Sequence, residues 1–346
     1  MNTPFVPVRP LEDRVWLVAG FDEAQQVLAD ARTFRTAQAD EYVPGYSRSF
    51  FLATDTGTAG DRTRFRSALA AALSPQNLAA LTSHVMTPLA RRLAGQLPDH
   101  TPFHVPDAYV RPYTRQLSYA LAGLDPGTAV ELAGRLRVAT ELLASGDRAA
   151  ALTLLHTVRT TVRNVAETGG LDPRGLPGFA IQRGFITARE APLLTIPLLE
   201  MAALDMSGAL TQAALHTTAQ LPPARQRHLA TPEGALNTAA HTARHLPDIY
   251  VTRVATRPAR LAGTALRPGD RILIDIPAAN TDPRRPPPSR HPCPGTAPDH
   301  LAFGHGAHLC RGRPLALHTA ATALHQLLAR GTLTATAHAD TLVLHP

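Results

Sequence analysis

The residue that most clearly indicates a chemical role is Cys310. It lies in a stretch that reads Phe-Gly-His-Gly-Ala-His-Leu-Cys-Arg-Gly from Phe303 to Gly312. Glycines in such a loop let the backbone turn tightly and approach a flat ligand closely. Pro314 predicts that a helix begins just after the loop, and the unpaired N–H groups at a helix N-terminus stabilise a thiolate. The stretch is therefore suited to holding one anionic sulfur against a planar metal centre.

Three interpretations of this cysteine follow from the residues alone. As an axial ligand of haem iron, its thiolate would donate electron density that favours O–O bond cleavage. As a zinc ligand it would act with Cys293, His305 and His308, but these residues do not form the CxxC or HxxxH pairs in which zinc ligands usually come. As a structural cysteine it would simply fill the core. The glycine-rich loop before a predicted helix favours the haem interpretation.

The elements around this loop predict a helix-dominated body with small sheets at the two ends of the sequence. Val15–Gly20 predicts a strand, and residues 21–30 predict a helix with Asp22 as its N-cap. From about Arg62 to Leu246 the chain is mostly helical, and Thr187–Glu190 fits a capping box that opens a long apolar helix. Strands do not alternate with helices, which disfavours a doubly wound fold.

After Pro247 the composition changes to strands and coil. Two segments rich in β-branched residues flank a type II-like turn at Arg267–Asp270. Residues 280–299 are rich in proline and arginine and predict irregular coil. The last helix has one apolar face, formed by Leu317, Ala320, Ala321, Leu324 and Leu328.

Composition narrows the class of protein. The chain has 346 residues, of which 44% are hydrophobic and only 18% charged, so it has enough apolar surface for a large core. Its longest apolar stretch, residues 191–203, is too short to span a bilayer, and the first residues contain no apolar segment, so we expect no secretory signal. The net charge of +7 comes from arginines without long basic runs, which disfavours nucleic-acid binding. We expect a soluble cytoplasmic protein that binds neither nucleic acid nor membrane.

The cysteine loop resembles the signature of the cytochrome P-450 family of haem-thiolate monooxygenases. The matching positions are Phe303, Gly304, Gly306, His308, Cys310 and Gly312. Similar segments run through nearly the whole chain. The resemblance implies a mainly α fold with small β-sheets and a single domain over residues 1–346. That domain would comprise an N-terminal part to about residue 60, a helical body over 61–246, and a hairpin, meander, cysteine loop and last helix over 247–346.

The resemblance also implies roles for individual residues. Cys310 would be the axial ligand of haem b, with Phe303 packed against the ring near the sulfur. His308 would bind a haem propionate, as would three arginines. The further positions expected to bind the cofactor are Arg62, Arg66, Arg253, Ala203, Gly304 and Gly312.

This chain departs from the family pattern at two sites. The family's Glu-x-x-Arg ion pair becomes His241-Thr-Ala-Arg244, so Arg244 would need other acceptors, such as backbone carbonyls of the proline-rich meander. On the distal helix the acid is kept as Asp205, but Met206 stands where a threonine is expected and Ser207 follows one position late. Asp205 and Ser207 are the expected catalytic residues.

The implied activity is oxidation of a small molecule or peptide-derived substrate of bacterial secondary metabolism, using O2 and electrons from an acidic ferredoxin. The expected ferredoxin-binding arginines are Arg62, Arg64, Arg66, Arg311 and Arg313. Two alternatives remain open. Met206 favours a haem-thiolate enzyme that uses peroxide or catalyses a redox-neutral rearrangement. The other is a non-catalytic relative that activates a partner enzyme, which would have no need for Cys310.

Overall fold

The computed structural model describes residues 5–37, 59–203, 208–285 and 300–346, without the side chains of residues 59–65 and 203. The chain divides into two compact units. The first unit combines Met1–Thr56 with Ala240–Cys310, and the second combines Gly57–Ala239 with Arg311–Pro346. The predicted mainly α architecture with small sheets is confirmed, whereas the assignment of residues 1–346 to one domain stays a prediction.

Helices account for most of the described residues. They are α1 Phe21–Ala29, α2 Ala59–Ala72, α3 Pro75–Leu81, α4 Thr87–Ala94, α5 Arg111–Ala122, α6 Pro126–Ala144, α7 Arg148–Glu167, α8 Leu176–Gln182, α9 Pro192–Ala203, α10 Gly208–Ala219, α11 Pro223–Leu229, α12 Pro232–Ala243, α13 Ile276–Asn280 and α14 Arg313–Leu328. The strands are β1 Val8–Glu12, β2 Val15–Val18, β3 Phe34–Thr36, β4 Pro102–His104, β5 Tyr250–Ala255, β6 Ala259–Leu261, β7 Thr264–Leu266, β8 Arg271–Asp275, β9 Thr332–Ala335 and β10 Thr341–His345.

The first unit is organised around a five-stranded sheet in the order β1-β2-β8-β5-β3. Neighbouring strands run antiparallel except β2 and β8, which pair in parallel between Val15 and Arg271 at one end and Val18 and Ile274 at the other. The β-branched residues that predicted β5 and β8 are largely buried in this sheet. The sheet therefore joins strands from both ends of the sequence.

The turn predicted at Arg267–Asp270 is confirmed. The amide of Asp270 donates to the carbonyl of Arg267 at 3.0 Å, and Gly269 has a φ of 85°. A type II turn requires this left-handed conformation at its third residue. The Asp270 carboxylate also accepts hydrogen bonds from Arg14 and from the indole of Trp16. The turn thereby fixes the start of β8 next to β2.

The start of α1 differs from the prediction. Asp22 is not the N-cap, because the helix begins at Phe21 with Gly20 before it. The amide of Phe21 instead donates to Oδ2 of Asp282 at 2.9 Å. A helix N-terminus needs acceptors for its first N–H groups, and here the acceptor comes from a distant part of the chain that local capping rules do not consider.

The core of the first unit lies between the sheet and α1. Phe21 and Leu28 of α1 pack in one cluster with Ile272 of β8 and with Leu301, which is only 1% exposed. Burial of such side chains contributes about 1.5–3 kcal/mol each. Leu301 therefore anchors the beginning of the predicted ligand loop in the core of this unit.

The second unit contains the predicted capping box. The amide and the hydroxyl of Thr187 both lie 2.8 Å from Oε2 of Glu190, and a short 3-10 turn follows. Helix α9 then begins at Pro192, a first-turn position where proline costs no intrahelical hydrogen bond. Pro197 lies inside α9. The apolar helix predicted after the box is thus present as far as Ala203.

The apolar face predicted for α14 is only part of what this helix buries. Leu324 and Leu328 are buried as predicted, but Thr319 and Gln326, which the prediction left outside that face, are buried too. Helix α14 contacts α4, α10 and α11 of the same unit. Periodicity detects one apolar face and cannot show that neighbours surround a helix on several sides.

The second unit also holds a three-stranded sheet in the order β4-β10-β9, all antiparallel. Across the described parts of the chain, none of the helices is both long enough and apolar enough to cross a membrane.

Candidate functional site

The predicted ligand loop begins at Phe303, and its part up to Cys310 belongs to the first unit, where its own backbone and that of Leu301 close it. The amide of Cys310 donates to the carbonyl of Phe303 at 2.8 Å, and the amide of Gly304 donates to the carbonyl of Leu301 at the same distance. A 3-10 turn at Gly306–His308 lies between these bonds. Cys310 is exposed. The loop therefore presents one accessible sulfur from a backbone held by hydrogen bonds.

The two inner glycines of the loop adopt conformations that other residues rarely take. Gly304 has a φ of 73° and Gly306 a φ of 66°. Glycine reaches this left-handed region without the steric cost of a Cβ atom. The tight turns expected from the glycine spacing are therefore present on the N-terminal side of Cys310.

Arg253 and His308, two residues predicted to bind carboxylates, both lie next to Thr36. Arg253 on β5 lies directly opposite Thr36 on the antiparallel strand β3, and opposed side chains project to the same side of a sheet. The Thr36 hydroxyl lies 3.4 Å from Nδ1 of His308. Arg253 is 6% exposed and donates to the carbonyl of Thr252 at 2.9 Å. A guanidinium, a hydroxyl and an imidazole thus form one group of potential carboxylate donors.

Thr36 was not found from the sequence. It ends a strand of only three residues, so neither periodicity nor a motif distinguishes it from other threonines. Only the pairing of β3 with β5 places it beside Arg253.

Arg244 is served by a backbone carbonyl, as expected, and the acceptor is Asn280, the first residue of the proline-rich segment 280–299. Its Nε and Nη2 donate to the carbonyl oxygen of Asn280 at 3.1 and 2.8 Å. Asn280 also ends α13, and residues 286–299 of that segment lie outside the described residues. Arg244 is 8% exposed, and this buried guanidinium therefore has hydrogen bonds that are independent of a carboxylate.

His241 and His245 lie one helical turn apart, with ring centroids separated by 5.5 Å. Burial, together with the charge of Arg244, lowers the pKa of His245. The His245 imidazole is therefore neutral at neutral pH, and this limits the positive charge around Arg244.

The second unit carries the residues predicted for the other side of the cofactor. Arg66 is half-buried on α2, and Arg62 lies on the same helix, although its side chain is outside the described residues. Ala203 ends α9, again without a described side chain. Asp205 and Ser207 lie outside the described residues, as does Met206. The roles of these residues stay predictions.

The helix predicted after the loop is confirmed. Helix α14 begins at Arg313 with Gly312 as its N-cap residue and Pro314 in its first turn. Arg311 is exposed and Arg313 is half-buried. Arg311 and Arg313 belong to the predicted ferredoxin-binding surface, and both are accessible within the second unit.

The donor set of the loop does not support the zinc interpretation. Among the described residues, no group of three or more His, Cys, Asp and Glu side chains is placed to hold a metal ion. His305, His308 and Cys310 belong to these residues, whereas Cys293 lies outside them. An exposed cysteine on a glycine loop and a group of carboxylate donors in the same unit, of which Arg253 is buried, fit haem, a flat ligand with a metal and two carboxylates.

Comparison with known proteins gives relatives of one kind. No family model matches the chain. It is 26% identical over 355 residues to 6-deoxyerythronolide B hydroxylase of Saccharopolyspora erythraea, which covers 95% of this chain and 86% of that protein. A shorter match of 79 residues, 40% identical, is to the cytochrome P450 monooxygenase PikC of Streptomyces venezuelae and covers 22% of this chain and 19% of that protein.

Solved structures share the fold. A mutant of P450 EryK, solved in complex with erythromycin B, matches with a TM-score of 0.73 at 21% identity, over 96% of this chain and 87% of that one. At this identity the likeness shows the fold alone, and it confirms the predicted fold class.

Proposed function

Because the chain belongs to the cytochrome P-450 family and is a monooxygenase, we propose that it is a haem-thiolate enzyme that oxidises a small-molecule or peptide-derived substrate of bacterial secondary metabolism. The oxidant is O2, the electrons come from an acidic ferredoxin, and the protein works in the cytoplasm. The non-catalytic alternative is set aside, since a protein that only activates a partner has no use for the exposed sulfur of Cys310.

The observation that carries this proposal is the geometry of Cys310. Its sulfur is exposed, while its amide is tied to the carbonyl of Phe303 at 2.8 Å. A thiolate that ligates a metal must be accessible, and the backbone around it must fix its position relative to the metal. In this proposal Cys310 would therefore be the thiolate ligand of the haem iron, and Phe303 would lie beside it.

Haem bound here supplies the redox chemistry that inserts an oxygen atom into the substrate, with reactivity favoured by electron donation from a thiolate ligand. The chain's part is to hold and orient it. Arg253 and His308 would donate hydrogen bonds to its carboxylates, and the Thr36 hydroxyl, which lies 3.4 Å from Nδ1 and 3.5 Å from Nε2 of His308, would help to hold that ring. Arg62 and Arg66 on α2, and Gly304 and Gly312 beside the ligand, complete the proposed binding residues.

The bound form is haem b in this proposal. Covalent haem attachment uses a Cys-x-x-Cys-His segment, and the sequence contains no such segment. Non-covalent retention then depends on the Cys310 ligand and on charged donors such as Arg253, because these are the strong directional contacts available to a haem with two carboxylates.

The substrate class is proposed from the relatives. The hydroxylase of Saccharopolyspora erythraea is named for its action on 6-deoxyerythronolide B, and one structural neighbour is described as involved in teicoplanin biosynthesis. Residues 125–185, which include α6 and α7, are the proposed region of substrate contacts, because this part of the chain is expected to vary with the substrate.

In this proposal, proton delivery depends on Asp205 and Ser207. Ser207 would hold a proton on its hydroxyl oxygen, and Asp205 would move one through water. Met206 cannot take part as a donor, because a thioether sulfur is at most a weak acceptor. A polar group on the natural substrate is the remaining source of protons.

Met206 also favours a second candidate function, an enzyme that uses peroxide or catalyses a redox-neutral rearrangement. Ser207→Ala and Met206→Thr separate the two candidates. Under the first, Ser207→Ala lowers the product formed per electron consumed, and Met206→Thr raises it with substrate mimics that lack the polar group. If neither variant, nor Asp205→Asn, changes this ratio, the second candidate is preferred.

The main experiment is an absorption spectrum of the purified protein, reduced and saturated with carbon monoxide. Wild type is expected to show the Soret band of a thiolate-ligated ferrous carbonyl, and Cys310→His is expected to remove it. A wild-type protein that binds no haem after expression with ample haem precursor would contradict the proposal.

A further inference from the structure

Asn280 connects three segments of the first unit. Its side-chain Nδ2 donates to the carbonyl of Arg244 at 2.9 Å, while the Arg244 guanidinium donates twice to the carbonyl of Asn280. Each residue therefore binds the backbone of the other with its side chain. This reciprocal pair fixes the end of α13 against the residue that follows α12.

The same side chain also holds the start of the cysteine loop. Oδ1 of Asn280 accepts a hydrogen bond from the amide of Leu301 at 2.7 Å. Asn280 is 1% exposed, and Leu301 is equally buried. A buried amide without an acceptor is unfavourable, so this bond is a strong restraint on the position of Leu301.

Further hydrogen bonds extend this restraint from Leu301 along the loop to Cys310. The Leu301 carbonyl accepts from the amide of Gly304 at 2.8 Å, and the Phe303 carbonyl accepts from the amide of Cys310 at 2.8 Å. Three successive hydrogen bonds thus lead from the Asn280 side chain to the backbone of Cys310.

The residue type fits this task closely. The position needs a donor toward Arg244 and an acceptor toward Leu301 on one short side chain, and a carboxamide has both. Aspartate keeps the acceptor but loses the donor. Alanine removes both.

We propose that Asn280 is a positioning residue that fixes Cys310 as the axial ligand by holding the amide of Leu301. The proposal rests on the function proposed for Cys310, but it makes a separate statement about the loop. Asn280 touches neither the cofactor nor the substrate in this role, and it acts only through Leu301.

The test compares wild type with Asn280→Ala, Asn280→Asp and a matched control, Thr281→Ala. Thr281 is the next residue and is exposed, and its hydroxyl bonds only carbonyls of its own helix, at 2.9 Å to Pro277 and 3.3 Å to Ala278. Two properties of each haem-loaded protein are measured: hydrogen exchange at the Leu301 amide, and the fraction of the ferrous carbonyl with thiolate ligation.

For Asn280→Ala we expect exchange at Leu301 to be faster by about tenfold or more and part of the carbonyl spectrum to change to that of a neutral-thiol ligand. Thr281→Ala should match wild type in both. Asn280→Asp should keep exchange at Leu301 within about twofold of wild type, because it keeps the acceptor.

Equal exchange and equal spectra in Asn280→Ala and Thr281→Ala would overturn the proposal. If Asn280→Ala does not fold, the test relies on Asn280→Asp. A tenfold faster hydrogen exchange at the Leu301 amide of that variant would also overturn the proposal. A wild type without thiolate ligation would instead overturn the proposed function, while the exchange measurement still reports on Asn280 and Leu301.

Discussion

Gly306 in the ligand loop packs directly against Leu28 in the last turn of α1. A Cβ atom at Gly306 would lie 2.8 Å from the carbonyl oxygen of Leu28 and 2.9 Å from the Cα atom of Ala29. Both are backbone atoms, which cannot move as a flexible side chain does. This close approach sets the distance between the loop that carries Cys310 and the helix beneath it.

The first prediction follows from this packing. Gly306→Ala should lower the melting temperature and reduce haem content, because the methyl group must displace α1 or the loop. Gly304→Ala is the matched control: its φ of 73° imposes similar backbone strain, but among the described residues the nearest atom to its Cβ would be the carbonyl oxygen of His308, at 3.7 Å. We expect Gly306→Ala to be less stable than Gly304→Ala by about 1–3 kcal/mol in urea unfolding. Equal losses would show that only backbone strain matters.

The second prediction concerns the dependence of stability on pH through Asp282. Burial by itself would raise the pKa of this carboxyl, but hydrogen bonds from Arg284 and from the Phe21 amide outweigh it and lower the pKa from 3.8 to about 2. A pKa lowered in the folded state stabilises the protein above pH 3.8, and the contribution is lost as the pH falls toward 2. Its size is about 2 kcal/mol.

Asp282→Asn should therefore reduce the free energy of unfolding by about 2 kcal/mol at pH 7, and the difference from wild type should shrink below pH 4. Urea unfolding at pH 7, 5 and 3 measures this. Asp13→Asn, which removes an exposed carboxylate, is the control. A difference that stays constant with pH would contradict the assignment of the effect to the Asp282 charge.

The third prediction concerns the histidine next to Arg244. His241→Glu places a carboxylate one helical turn from the guanidinium and should raise the melting temperature by about 2 °C or more. His241→Gln serves as the uncharged control and should give a smaller gain. A lower melting temperature for His241→Glu would mean that the Asn280 carbonyl and the other surroundings of Arg244 are already adapted to histidine.

The fourth prediction addresses the carboxylate donors. Thr36→Val removes the hydroxyl beside His308 with little change in volume, and haem should dissociate about threefold faster. Arg253→Leu should have the larger effect, about tenfold or more, because a charged donor is lost. Transfer of haem to a scavenger protein measures both rates. Thr256→Val is the control, since its hydroxyl bonds the carbonyls of Arg32 and Thr33 instead; a rate equal to that of Thr36→Val would remove the assigned role of Thr36.

The fifth prediction tests the acidic electron donor. Reversing Arg311 or Arg313 to glutamate should slow the first electron transfer from an acidic ferredoxin about tenfold at low ionic strength. The effect should decrease as salt screens the charges. Arg9→Glu changes the net charge equally at an exposed residue of β1 and should leave the rate unchanged. Equal rates in all three variants would show that Arg311 and Arg313 do not recognise the donor.

Features that depend on neighbours in sequence were predictable. The glycines around Cys310, the capping box at Thr187 and the turn at Gly269 are short patterns, and each fixes local backbone angles or hydrogen bonds within a few residues. The start of α14 just after the cysteine loop follows for the same reason, because Pro314 is tolerated only in a first turn.

Features that depend on partners far along the chain were decided only by the tertiary structure. Asp282 supplies the acceptor for the first amide of α1, where the sequence pointed to Asp22. Asn280 joins Arg244 to Leu301, and the pairing of β3 with β5 places Thr36 opposite Arg253. A buried polar group must find a hydrogen-bond partner, but which residue provides it depends on how distant segments pack. The sequence by itself therefore determined the cysteine loop and pointed to Cys310 as the proposed ligand, whereas packing determined the residues that hold that loop in place.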